Sequence, residues 1–373
     1  MINKIMNYNI DHPGVFLREE LEERSWSQAD LAYILGCPVQ AINMIISGKR
    51  GISVDMARSL EKAFDVPADF FLNLQKIYDL SKANEPDMGI AKKARFFQSS
   101  YPIREMFKRG WLEDTEPDLL EAQMMRYFEV KNINEIPHLA HAAKKTHYDN
   151  ILPNQLAWLF RVKQIAKSIE VPAYTKKNLE AALLELKKFT KEPEEIRHIP
   201  KILMNAGVRF IIVEVLPNSK IDGACFWLNN NSPVIGISLR YDRIDNFWFV
   251  LRHEIEHVLQ RHGLNNEIID TELLENKDSV SKEEKIANDA ASEFCVPQNR
   301  LSSFIKRKSP FVSEMDILSF ALTLDIHPGI VVGQYHNKIR DYRYFRKHLV
   351  KIKDYILSNA LIDGWGNIAP VDL

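Results

Sequence analysis

The segment His253-Glu254-Ile255-Glu256-His257 sets two imidazoles four residues apart, with a carboxylate directly after the first. On a helix, residues i and i+4 share a face, so both rings can reach one ion while Glu254 stands beside an open coordination position. Such a site suits zinc, which in catalytic centres takes three protein ligands and one water, lowers the pKa of that water to roughly 7 and leaves a nearby carboxylate to remove the proton. Glu254 is the expected base. A third ligand must come from a second helix. Glu284, 27 residues after His257, opens the helix-rich run from Lys282 to Phe294, whose small residues permit close packing on the first helix. The plainer reading leaves His253 and His257 on an ordinary buried helix face and Glu284 as one more solvated charge. His262, His327 and His336 are further candidates as oxyanion stabilisers, but spacing gives them no geometry, and surface or core histidines are commoner.

A second constellation lies near the start of the chain. Ser27 can cap a helix that ends at Gly36, and another helix starts near Pro38 or Val39 after a short turn, the spacing of a helix-turn-helix. The second helix of such a unit enters the major groove by its N-terminal end. Val39, Gln40 and Asn43 then face bases, and Gln28 with Lys49 or Arg50 holds phosphates. Gln and Asn pair with adenine edges. Operator DNA is the expected partner, read by a homodimer over paired half-sites. Charge argues mildly against this, since residues 1–80 hold eight Lys/Arg against eleven Asp/Glu, a net of −3. A basic edge survives at Lys49-Arg50, although helical bundles of this type also serve as dimerisation modules.

The elements that must position these residues follow from punctuation and periodicity. Gly14, Gly36, Pro38, Gly48, Gly51 and Pro67 divide residues 11–80 into short helices, and the apolar-poor stretch from Lys82 to Gly89 reads as a linker. From Ile90 to about Ile199 the pattern is mostly helical. The basic clusters at 92–95 and 104–109 read as solvated helix faces anchored by Phe96, Phe97, Phe107 and Trp111. After Gly207 come three strand-like runs, 208–215, 224–228 and 234–239, and then a helix from about Asp245 to His262, ended by Gly263. The expected organisation is therefore multidomain: an all-α helix-turn-helix domain (1–80), a helical middle region (81–199) and an α+β domain (200–373) carrying one central helix.

Composition sets the outer bounds. The chain has 373 residues, 46% hydrophobic and 27% charged, with a net charge of −1, which excludes a disordered chain and gives no bulk sign of a nucleic-acid or membrane partner. The three cysteines, Cys37, Cys225 and Cys295, offer neither a disulfide framework nor a paired metal ribbon. Residues 1–8 lack the pattern of a leader, and no apolar run approaches the roughly 18 residues of a membrane span. A cytoplasmic protein is expected.

The run from Asp245 through His257, followed by Glu284-Lys285-Ile286-Ala287-Asn288 and Pro297, resembles the ImmA/IrrE metallo-endopeptidases. The resemblance implies a zincin-like fold for the third domain, zinc held by His253, His257 and Glu284, and Glu254 as catalytic base. Where that family usually has a small residue before its second histidine, this chain has Glu256, which lies about 200° round the helix from Glu254 and should point away from the metal. Residues 12–80 resemble the Cro/CI-like (XRE) fold and, more narrowly, the HigA-type antitoxins. The matching pieces are His12 to Leu21, Gly48 to Ser53 and Phe71 to Gln75. Together these likenesses imply a DNA-binding regulator with a zinc-dependent endopeptidase that cleaves a regulatory protein such as a helix-turn-helix repressor. The alternative is an antitoxin or repressor whose C-terminal domain binds a cognate toxin, a ligand or zinc without turning over peptide.

Overall fold

Short helices dominate because glycine, proline and capping residues interrupt the apolar periodicity roughly every ten to fifteen residues. The computed structural model describes residues 10–84, 86–87, 89–98, 101–136, 151–264, 268–271 and 282–371. It divides the chain into two compact units, Met1–Met88 and Gly89–Leu373. Residues 1–8, the side chains of Phe96 and Phe97, and part of the expected linker lie outside the described residues.

The first unit is all-helical: α1 (Pro13–Glu23), α2 (Gln28–Leu35), α3 (Val39–Ile46), α4 (Val54–Phe64) and α5 (Ala68–Lys82). Its core gathers one side chain or more from each helix, among them Leu17, Leu31, Ile42, Ile45, Leu60 and Phe71, all fully buried. Gly14 is required where α1 crosses α3, since a Cβ there would meet the carbonyl oxygen of Ile45 at 2.0 Å.

The second unit begins with helices α6 (Gly89–Gln98), α7 (Ile103–Lys108), α8 (Pro117–Tyr127), α9 (Pro153–Lys167), α10 (Lys176–Leu186) and α11 (Ile199–Asn205). Strands β1 (Arg209–Val213), β2 (Ile221–Trp227) and β3 (Pro233–Ile237) follow, then α12 (Ile244–Leu259), β4 (Ile268–Thr271), α13 (Lys282–Cys295), α14 (Gln298–Lys308), α15 (Glu314–Leu324), α16 (Pro328–Ile339), α17 (Lys353–Leu357) and β5 (Leu361–Asp363). The sheet is mixed, in the order β4-β2-β3-β1-β5. β1 runs parallel to β3 and β5, and β2 runs antiparallel to β3 and β4.

Alternate residues of β1 serve opposite faces. Phe210 and Ile212 join a cluster with α12, whereas Ile211 and Val213 join one with α9 and α8. Strands β1, β2 and β3 are thus buried on both sides, which explains their run of apolar β-branched residues. The sheet also ties the helices of residues 101–167 to the strands through a shared core. A buried ion pair closes this layer, Arg161 Nη2 to Asp363 Oδ2 at 2.6 Å, with Trp111 Nε1 donating to Asp363 Oδ1 at 2.7 Å. Arg109, expected on a solvated face, instead donates to the carbonyls of Glu214 and Val215 at 2.7 and 2.9 Å, because the chain after β1 passes over the end of α7. Among the described residues no single helix is long and apolar enough to cross a membrane.

Candidate metal centre and helix-turn-helix unit

Helix α12 is almost wholly buried because its apolar residues face both the sheet and the helices beyond it. That placement draws His253, Glu254 and His257 out of solvent to 0% exposure. Helix α13 packs along it through Ala287, Ala291 and Cys295, spaced four residues apart and buried, so the small side chains allow the close approach expected of them. Glu284, in the first turn of α13, is thereby carried to the two imidazoles.

The donors converge. His253 Nε2 and His257 Nε2 are 2.9 Å apart, and the Glu284 oxygens lie 3.2 Å from the first and 3.3 Å from the second. All three ligand atoms fall within 4.8 Å of one another. Ligands on a tetrahedral ion with bonds near 2.1 Å sit about 3.4 Å apart, so two imidazoles and a carboxylate at these separations fit a small divalent metal. Burial opposes the charge on Glu284, but hydrogen bonds and electrostatic attraction from His253 and His257 outweigh it and hold its carboxyl well below the ordinary range.

Glu254 is held by the sheet. Its carboxylate lies over Gly223 of β2, where a Cβ would stand 2.1 Å from Glu254 Oε1, so a larger residue there must displace the acid. Glu256 turns to another face of α12, accepting from Arg252 Nη2 at 2.7 Å and from Gln260 Nε2 at 2.7 Å, as its helical angle implies.

The helix ends earlier than Gly263. Arg261 adopts the left-handed conformation at φ 58°, Arg261 N donates to Val258 O at 3.0 Å, and His262 N donates to His257 O at 2.8 Å. This is a Schellman turn with a non-glycine residue at its left-handed position. It swings His262 beside His257, Nδ1 to Nδ1 at 3.0 Å. Burial and the neighbouring His257 lower the pKa of His262. Spacing carries no geometry for this contact; its only signal is a histidine five residues after a candidate ligand, just past the helix end. His327 and His336 serve elsewhere. His327 Nδ1 accepts from Gly329 N at 3.0 Å at the start of α16, and His336 Nε2 lies 2.6 Å from Tyr344 O.

In the first unit, Ser27 caps α2 in a reciprocal box with Asp30, Gly36 takes a left-handed φ of 63° at the C-terminus, and α3 starts at Val39. Ile42, Ile45 and Ile46 bury one face of α3, leaving Val39, Gln40 and Asn43 exposed on the other. Lys49 and Arg50 are exposed in the following loop, which Gln75 Oε1 anchors by accepting from Ile52 N at 2.9 Å; Gln28 is half-buried at the start of α2.

Residues 17–71 match the HTH_3 helix-turn-helix family. Virulence-associated protein A' of Dichelobacter nodosus is 40% identical over 78 residues, which are 21% of this chain and 68% of that protein. The chain belongs to the helix-turn-helix family through its first unit. Virulence-associated protein I of the same organism is 39% identical over 80 residues, 21% of this chain and 74% of the relative. Among solved structures, the Pseudomonas aeruginosa antitoxin HigA with its higBA promoter is 43% identical over 20% of this chain and 80% of its own, with a TM-score of 0.19. These relatives correspond to the first unit alone.

Proposed function

We propose that the chain is a DNA-binding transcription regulator whose second unit is a zincin-like, zinc-dependent endopeptidase of the ImmA/IrrE kind, acting in the cytoplasm on a regulatory protein such as a helix-turn-helix repressor. The observation that carries this reading is the convergence of His253, His257 and Glu284 from two helices beside a Glu254 held over Gly223. Zinc, when bound, acidifies water and polarises a peptide carbonyl. Glu254 takes the proton of the attacking water on its carboxylate and returns it to the leaving nitrogen. His253, His257 and Glu284 hold the ion, and Arg252 with Gln260 keeps the neighbouring Glu256 off it.

In the first unit, Val39, Gln40 and Asn43 read base edges while Gln28, Lys49 and Arg50 hold phosphates, with operator half-sites bound by a homodimer. A second reading, a HigA-like antitoxin whose second unit binds a toxin or ligand without cleavage, draws support from the 43% identity between a fifth of this chain and the antitoxin HigA. One substitution separates the two. Glu254→Gln retains zinc and operator DNA but loses cleavage and regulation under the peptidase reading; regulation that persists in this variant supports the antitoxin.

A further inference from the structure

The near-zero net charge of the whole chain conceals a strong local imbalance. Residues 298–353 contain eleven Lys/Arg against four Asp/Glu, a net of +7, whereas residues 1–80 carry −3. Two basic residues of this stretch, from different elements, meet acids at the start of α15. Lys308, at the end of α14, reaches Asp316 Oδ1 at 2.7 Å, and Lys347, in the loop after α16, reaches Glu314 Oε1 at 2.7 Å. Two acids in one helical turn therefore bring the basic end of α14 and the basic loop 340–347 together.

The acids do not neutralise what they gather. Among the described residues, Lys306, Arg307, Lys338, Arg340 and Arg346 are exposed and have no carboxylate within ion-pair distance. Aromatic rings lie between these cations in the loop. Tyr342 and Tyr344 are 37% and 48% exposed, and Arg343 stacks over Tyr344 at 5.6 Å. Unpaired exposed cations with interleaved aromatic and hydroxyl groups match a nucleic-acid backbone, where binding draws mainly on phosphate neutralisation and counterion release.

We propose that the second unit carries its own sequence-independent surface for the phosphate backbone of duplex DNA, formed by the end of α14 and the loop after α16. The choice of duplex DNA rests on the DNA-binding reading of the first unit; the surface itself does not. Base recognition then belongs to α3, and the second unit adds salt-sensitive affinity.

The test uses the full chain and a labelled duplex of arbitrary sequence, titrated by fluorescence anisotropy across a salt series. The variant Lys306→Gln/Arg307→Gln/Lys338→Gln/Arg346→Gln alters only exposed cations without carboxylate partners, and its melting temperature checks that it folds. It is expected to bind at least about tenfold more weakly, with a slope of log affinity against log salt shallower by roughly three. Lys201→Gln, an exposed cation of α11 outside both surfaces, is expected to leave both quantities unchanged on this duplex. If Gln40→Ala/Asn43→Ala loses no affinity on any sequence tried while the quadruple variant still loses binding, only the first unit's reading fails. A quadruple variant that binds with wild-type affinity and slope overturns the proposal, as does a wild-type chain that does not bind the arbitrary duplex.

Discussion

His262 stands with Nδ1 3.0 Å from Nδ1 of His257, on the ring edge opposite the Nε2 that faces His253 and Glu284. One nitrogen of His257 is thus turned to the donor cluster and the other is fixed by a neighbour, the arrangement that sets a ligand's tautomer and ring angle. Under the proposed function, His262→Ala is expected to lower zinc affinity by about 10- to 100-fold, measured by competition with a chromophoric chelator. Unchanged affinity would show that His257 is oriented without it.

Gly223 leaves the space that the Glu254 carboxylate fills, since a Cβ on that residue would lie only 2.1 Å from Oε1. Gly223→Ala therefore forces the strand and the acid apart. We expect a loss of about 1–3 kcal/mol in urea unfolding, as overpacked sites show. A midpoint equal to that of the wild type would mean that Glu254 has another position of equal energy.

Much of this arrangement is legible in the sequence wherever the controlling physics is local. The Ser27 cap, the left-handed Gly36 and the start of α3 at Val39 depend on neighbouring residues, and the structure has them where the spacing puts them. The α12 pattern and the run of small residues in α13 likewise report their own burial. Strands β4 and β5 escape such a reading because, at four and three residues, each is shorter than a recognisable alternation and exists only through pairing with β2 and β1. The role of Gly223 and the inward turn of Arg109 depend on residues 31 and over 100 positions away. The usual glycine rule puts the end of α12 at Gly263, but Arg261 takes the left-handed position.

Asp363 accepts from Arg161, Trp111 and the backbone of Ala369 at zero exposure. Asp363→Ala leaves the buried guanidinium of Arg161 without its counter-charge, and breaking such a pair costs about 3–5 kcal/mol. Thermal unfolding of the full chain should show a clear drop in the transition of the second unit. A shift no larger than that of an exposed-site control, such as Asp114→Ala, would contradict a structural role.

Burial, reinforced by the charge of His348 and opposed by Glu194, pushes His327 from 6.5 down to about 4. The folded state therefore favours the neutral ring, which accepts from Gly329 N. A depressed histidine contributes its full stability above its unfolded pKa, and that contribution is lost as pH falls from about 6.5 toward 4. Allowing for its partial exposure, the loss is about 1–2 kcal/mol. His327→Asn keeps an acceptor at the cap without titrating, so it should lose less stability than the wild type over this range. Identical pH dependence in denaturant titrations would rule out His327 as the source.

Under the proposed function, α12 and α13 together build one three-ligand zinc site. Its most direct test is the zinc content of purified wild-type chain beside His253→Ala and Glu284→Ala, by metal analysis after gel filtration. One zinc per wild-type chain is predicted, with loss of that zinc in both variants while they still elute as folded protein. A wild-type chain that takes up no zinc even after incubation with the metal would contradict the three-ligand site.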